Sequence, residues 1–207
     1  MITQPIRQAL DHGDRPDPAA GIFETMLVQD GLLPMRDAHY ARINLSARQL
    51  YGEEGVVQEP TEPVYRRGWT GRMRITYVPG EGLTRQPGEL GPDPVYAGVA
   101  PFVLPGGLGR HKWADRRLVD ALGDAAQGAL PLLIDTDSAV LEATWASVLI
   151  EERGRLISPP DDGRALPGIG RLSLQYDEEP VDLDRLLAAD AVLLTSALRT
   201  VRVPLAV

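Results

Sequence analysis

The sequence predicts a mixed α/β protein built from many short elements and arranged in two lobes, and three observations carry that expectation. Hydrophobic residues make up 43% of the 207 positions, enough for a real core. Gly and Pro are frequent, at 21 and 18 residues, so turns must be numerous and elements brief. The hydrophobic pattern also switches repeatedly between a period of two and a helical period.

In chain order, residues 1–20 are rich in Asp, Pro and Gln, show neither period, and read as a flexible lead-in. IFETMLVQDGLLPM alternates as two short strands around a turn at Asp30-Gly31. DAHYARINLSARQLYG follows with Ala38, Ala41, Leu45 and Leu50 at helical spacing, Asp37 as N-cap and Gly52 just past the C-terminus. His39 and Arg42 lie three residues apart and share a face of that helix. GRMRITYVPGEG and PDPVYAGVAPFVLP read as strands, closing a first lobe at 1–105. The second lobe, 106–207, opens with GGLGRHKWADRRLVDALGDAA, a glycine-rich loop leading into a helix. LPLLIDTDSAVLEATWASVLIEERGRLISPP then supplies three strand-like runs of an antiparallel meander. LPGIGRLSL is a turn feeding a short helix, and AVLLTSALRTVRVPL a closing apolar strand.

Several classes of function are excluded or disfavoured. No apolar run approaches the ~20 residues that span a bilayer, and MITQPIRQALDHGD has no signal-peptide core, so the expected location is cytoplasmic, away from membranes. There is no cysteine, hence no disulfide framework, thiol nucleophile or cysteine-held zinc, and three scattered histidines predict no metal site. A net charge of −8 argues against a nucleic-acid footprint. Small-molecule chemistry remains.

The basic residues are unusually informative. Of 21, twenty are Arg and only Lys112 is Lys. Arginine replaces lysine at solvated positions but cannot deprotonate, whereas a lysine amine can serve as nucleophile or general base. Lys112 is therefore either a chance survivor of drift toward Arg or the residue that carries the chemistry. Glu142 falls in the middle strand run, facing away from Leu141 and Ala143. If that face is buried the carboxylate needs a partner, and if it is solvated Glu142 is ordinary. The LPGIGR turn leaves backbone N–H groups for an anion or is merely a turn. Thr195 and Ser196 either add donors or end a strand. PGGLGRHK lacks the spacing of a P-loop and the Ser or Thr after its Lys.

Taken together, GIFETMLV-x-DG, H-x-x-R on the first helix, the Lys before D-R, the Glu of VLEAT, LPGIGR and the closing TSALR resemble the fold type IV (class IV aminotransferase) family of pyridoxal-phosphate enzymes. The resemblance runs from about Gly21 to the C-terminus. HKW-x-DR and ISPPDDGRALPG make it closest to the 4-amino-4-deoxychorismate lyase branch.

That resemblance implies a small N-terminal lobe, a larger C-terminal lobe with a mixed or antiparallel sheet barrel, and pyridoxal 5′-phosphate in the cleft between them. It implies that Lys112 is catalytic and holds the cofactor as a Schiff base, and that Glu142 faces the pyridine nitrogen. Arg42, Ile169, Gly170, Ser196 and Ala197 would bind the phosphate, Thr25 would face substrate, and Arg74, Arg110 and Arg199 are candidates for substrate carboxylates. The implied reaction converts 4-amino-4-deoxychorismate, a small anionic amine, to 4-aminobenzoate and pyruvate for folate synthesis, in a homodimer. The alternatives are an aminotransferase for branched-chain or D-amino acids and a degenerate homologue kept as a binding protein. Three positions depart from the family pattern: Gly170 where Thr is common, Ser147 where Asn is usual, and Trp145 where a smaller or basic residue is frequent.

Overall fold

The computed structural model describes residues 2–58, 65 and 67–204. The chain divides into two compact units, one of Met1–Arg15, Asp93–Arg110 and Arg116–Val207, the other of Pro16–Pro92 and His111–Asp115. This division differs from a single break near residue 105. The chain start and residues 93–105 group with the C-terminal unit, and a five-residue segment around Lys112 groups with the smaller one.

The larger unit holds two sheets. In the first, β1 (Ile2–Thr3) and β2 (Arg7–Gln8) both pair in parallel with β6 (Gly98–Val103), followed by β7 (Leu130–Ile134) and β8 (Val140–Ala143). β6 carries Pro101, which cannot donate to a ladder, and the partner edge is interrupted between β1 and β2 opposite Ala100–Pro101. The second sheet runs β11 (Asp177–Glu178), β10 (Arg155–Ser158), β9 (Ser147–Glu152), β12 (Ala191–Thr195) and β13 (Thr200–Pro204). Val99, Leu130, Leu132, Ile134, Val148, Ile150, Val192 and Leu194 form one buried cluster from both sheets. Every residue of β7 and β12 is buried, so these strands read as continuous apolar runs rather than alternating ones. The predicted middle run is two strands, β8 and β9, folded back at Thr144-Trp145 by the Ala143–Ala146 bridge.

Helix α2 (Arg117–Ala126) buries Leu118, Val119, Leu122 and Ala126, a stripe at helical spacing that packs on Phe102, Leu104 and Leu133. The short α3 (Leu183–Ala188) is capped by Asp182, whose carboxylate accepts from the Arg185 N–H. The expected lead-in is structured. Gln4 N–H donates to Val99 O, while Arg7 donates to Ala125 O and stacks 4.4 Å above the Phe102 ring. Two-residue strands have no periodicity to read, and their partners lie about a hundred residues away.

In the smaller unit β3 (Ile22–Val28) pairs antiparallel with β4 (Gly71–Val78), and β4 with β5 (Gly82–Gly88). The Asp30-Gly31 turn forms, with φ of 51° and 77° closing a Gln29–Leu32 bridge, but no second hairpin strand follows it. Helix α1 (Arg36–Tyr51) begins after Met35 rather than Asp37 and ends at Gly52, φ 70°. Its buried face is His39, Tyr40, Ile43, Ser46 and Ala47, not the expected Ala38, Ala41, Leu45 and Leu50; Leu45 is 44% exposed. The helix carries two polar residues inward because each finds a partner there, which hydrophobic spacing cannot reveal.

Gly21 precedes β3 with φ 90°, and a Cβ there would stand 2.2 Å from Tyr77 O. Gly80 has φ 78° with nothing within 4 Å. Both substitutions strain the backbone but only one also collides. Urea unfolding is expected to show Gly80→Ala losing about 1 kcal/mol and Gly21→Ala at least about twice that.

Candidate active site

Within the smaller unit, the segment around Trp113 pairs with the start of β3 through an isolated bridge. Phe23 N–H donates to Lys112 O at 2.9 Å, Ala114 N–H donates to Gly21 O at 2.9 Å, and Trp113 bridges Ile22. His111 and Trp113 meet edge to face at 5.3 Å, and His111 Nδ1 lies 3.0 Å from the buried Ser46 Oγ of α1. Lys112 instead carries its half-buried amine to 4.8 Å from the Phe23 ring centroid. Arg74 of β4 places its guanidinium 3.9 Å from the same centroid, and Thr25 is its cross-strand partner. Two cations thus lie against one aromatic ring.

On the other side of β3, Glu24 points at α1. Arg42 Nε and Nη2 donate to its two oxygens at 2.6 and 2.7 Å, and His39 Nδ1 lies 2.8 Å from Oε2. Glu24 and His39 are each 1% exposed, and the Arg42 side chain 12%. Burial alone would push the Glu24 carboxyl up, but the Arg42 charge and the hydrogen bonds from His39 and Arg42 outweigh it and hold it at about 2. The shared face of His39 and Arg42 was visible in the sequence. Glu24 was not, because only the β3–α1 packing brings a residue 15 positions away into contact.

The remaining expected residues lie in the larger unit. Glu142 of β8 is buried, and its charge acts favourably on Arg116. Arg116 Nη2 also donates to Thr144 O at 3.1 Å. Burial lowers the Arg116 pKa while Asp120 and Glu142 raise it. The five-residue 3-10 turn Ile169–Ser173 follows Gly168, and its first amides, on Ile169 and Gly170, have no acceptor within the turn. The turn sits hard against the end of β12. A Cβ on Gly168 would come 2.0 Å from Ser147 Oγ, and one on Gly170 would come 2.4 Å from Ser196 O. Ser196 and Ala197 occupy the β12–β13 turn, where Ser196 N–H donates to Arg199 O and Ser196 Oγ accepts from Leu198 N–H. Arg171 Nη1 donates to Ser158 Oγ at 2.9 Å.

Of the three arginines considered for substrate, Arg74 lies against the same Phe23 ring as Lys112, whereas Arg110 pairs with Asp161 and Arg199 with Asp93, both at 3.0 Å. The loop leading to Lys112 is itself secured in the larger unit. Asp135 accepts from Gly106 N–H and from Arg164 Nη1, and the Arg164 hydrogen bonds, with backbone donors, hold its carboxyl at about 2 against burial. Taken by themselves, the smaller unit's amine at an aromatic ring and its carboxylate-held arginine suit an aldehyde and a phosphate, and the larger unit's turn offers backbone amides for an anion.

Residues 109–204 match the family model for class IV amino-transferases. None of the curated proteins matches the chain. Among solved structures, a hypothetical aminotransferase from Mycobacterium tuberculosis, with α-ketoglutarate and PMP bound, is similar at TM-score 0.72 and 23% identity, over 89% of this chain and 80% of that one. A candidate 4-amino-4-deoxychorismate lyase from Legionella pneumophila is similar at TM-score 0.70 and 20% identity, over 98% and 90%. A candidate amino-acid aminotransferase from Mesorhizobium loti gives 0.68 and 24%, over 88% and 97%.

Two outcomes are expected. Glu24 is depressed from 4.5 to about 2, so its stabilisation is complete above pH 4.5 and is lost as pH falls toward 2. Glu24→Gln should therefore flatten the acid limb of a plot of unfolding free energy against pH, while wild type keeps it. Installing the family's threonine, Gly170→Thr, should destabilise the chain by about 2 kcal/mol or more in urea, because its Cβ meets the Ser196 carbonyl. Residues 109–204 are thus similar to the class IV amino-transferases, and the fold of the chain is that of the solved structures just named.

Proposed function

We propose that this protein is a pyridoxal-phosphate-dependent enzyme acting as an aminodeoxychorismate lyase, converting 4-amino-4-deoxychorismate to 4-aminobenzoate and pyruvate. The observation that carries the reading is the setting of the chain's only lysine, half-buried at the Phe23 ring beside Arg74 rather than extended into solvent. The cofactor, when bound, supplies an electron sink that stabilises negative charge at the substrate's amine-bearing carbon.

The chain's own residues have distinct tasks. Lys112 would hold the cofactor through its aldehyde, and its amine, once free, would accept the proton from the substrate's amine-bearing carbon. The Lys112 and Arg74 charges make a positive locus in a protein of net charge −8, which suits an anionic amine. Arg74 is the carboxylate partner favoured by its place beside Lys112, and Thr25 offers a hydroxyl next to it in register. Glu142 would keep the ring nitrogen protonated, and Arg42, the Ile169 and Gly170 amides and the Ser196–Ala197 turn would hold the phosphate. By the same family likeness the protein works as a homodimer, which sedimentation or light scattering would test.

A second reading, aminotransferase, is supported by the similar structures described above as aminotransferases. It needs the same residues, and differs in where the proton is returned and whether a keto acid is released.

Borohydride reduction with pyridoxal phosphate is expected to fix the cofactor on Lys112 of the wild type and to leave Lys112→Ala unlabelled. The wild type should then form 4-aminobenzoate from aminodeoxychorismate and no keto acid from L- or D-amino acids. Keto-acid formation alone would establish the aminotransferase reading. Equal labelling of both proteins, with neither product, would overturn both readings in favour of a binding protein.

A further inference from the structure

A carboxylate beneath an anion-binding arginine is at first sight a disadvantage, since it cancels charge that the anion would otherwise feel. Glu24 nonetheless takes one whole edge of the guanidinium, that of Nε and Nη2. Arg42 Nε donates to Oε1 and Nη2 to Oε2, a fork-on-fork pair at 2.6 and 2.7 Å. The guanidinium is planar and rigid, so holding Nε and Nη2 fixes the plane of the whole group. The carboxylate cannot turn either. His39 Nδ1 holds Oε2 at 2.8 Å, and His39 Nε2 is buried without a partner among the described residues. Carrying the proton on Nδ1 spares the ring a buried, unsatisfied N–H donor. His39 and Arg42 are one turn apart on α1, and Glu24 comes from β3, so helix and sheet together set the angle of the guanidinium.

We propose that Glu24, braced by His39, is a positioning residue that orients the Arg42 guanidinium for a phosphate monoester, giving the site its phosphate selectivity without touching the phosphate. This rests on the proposed role of Arg42 in holding the cofactor phosphate. An unbraced arginine would give up the freedom of its long side chain on binding, whereas here that ordering precedes the ligand. A carboxylate serving only to balance a buried cation would affect every ligand alike; one that orients Arg42 affects ligands according to whether they carry phosphate.

The test compares wild type, Glu24→Gln and Glu24→Asp for binding of pyridoxal 5′-phosphate and of pyridoxal, followed by absorbance, and for the rise in apo-protein melting temperature caused by inorganic phosphate. Glu24→Gln keeps the length of the side chain but not its charge, and Glu24→Asp keeps the charge but draws it back by one methylene. Each is expected to weaken pyridoxal-phosphate binding roughly tenfold, to change pyridoxal binding less than about twofold, and to shrink the phosphate-induced shift. Parallel losses for both aldehydes, or unchanged phosphate binding, would overturn the proposal. Should Glu24→Gln fail to fold, Glu24→Asp decides by the same comparison. If the wild type shows no Lys112-dependent binding of either aldehyde, the enzyme reading fails. The inorganic-phosphate shift, with Arg42→Gln as its control, still decides whether Glu24 acts on Arg42.

Discussion

Two backbone hydrogen bonds, from Phe23 N–H to Lys112 O and from Ala114 N–H to Gly21 O, hold the segment that contains the chain's single lysine. Most of the chemistry proposed here depends on them. They pair that segment with the start of β3, where His111 and Trp113 meet edge to face and Lys112 reaches the Phe23 ring. Gly21 and Gly107 are the backbone conditions for that course. At Gly107, φ is 64° and a Cβ would stand 2.0 Å from Arg164 O, so the approach to Lys112 passes where only glycine fits.

The buried charges are organised on the same economy. Glu24, His39 and Arg42 sit where an unpaired ion would be costly, and the cluster is tolerated because two carboxylate oxygens receive three donors. In the larger unit Asp135 and Arg164 do the same for the glycine-rich loop, and Glu142 lies in the field of Arg116. These are different devices for one problem: charged groups placed in a protein interior demand partners.

Gly170 shows why a family pattern must be read against local packing. From the pattern alone, glycine in place of threonine is a lost phosphate donor. In the structure, the turn lies so close to the Ser196 carbonyl that the position has no room for a side chain, and the Ile169 and Gly170 amides have no acceptor within the turn. Thr25 and the three arginines illustrate the complementary case. Their residue types suggested substrate contacts, but only strand register separates Arg74, beside Phe23, from Arg110 and Arg199, each tied to an aspartate.

The sequence by itself determined the mixed architecture, the strands β3, β4, β6, β7, β10 and β12 in outline with β8 and β9 as one run, the helix carrying His39 and Arg42, and the singular status of Lys112, because periodicity, turn residues and composition are local properties; it did not reveal β5. It misread the buried face of α1, left the first twenty residues without structure and passed over Glu24. Each of those depends on a partner far along the chain: Val99 and Ala125 for the N-terminal strands, Ser46 with His111, and Glu24 with α1. Tertiary structure alone decided them, since whether a polar side chain turns inward is settled by what awaits it there, and no spacing rule encodes a hydrogen-bond partner on another element.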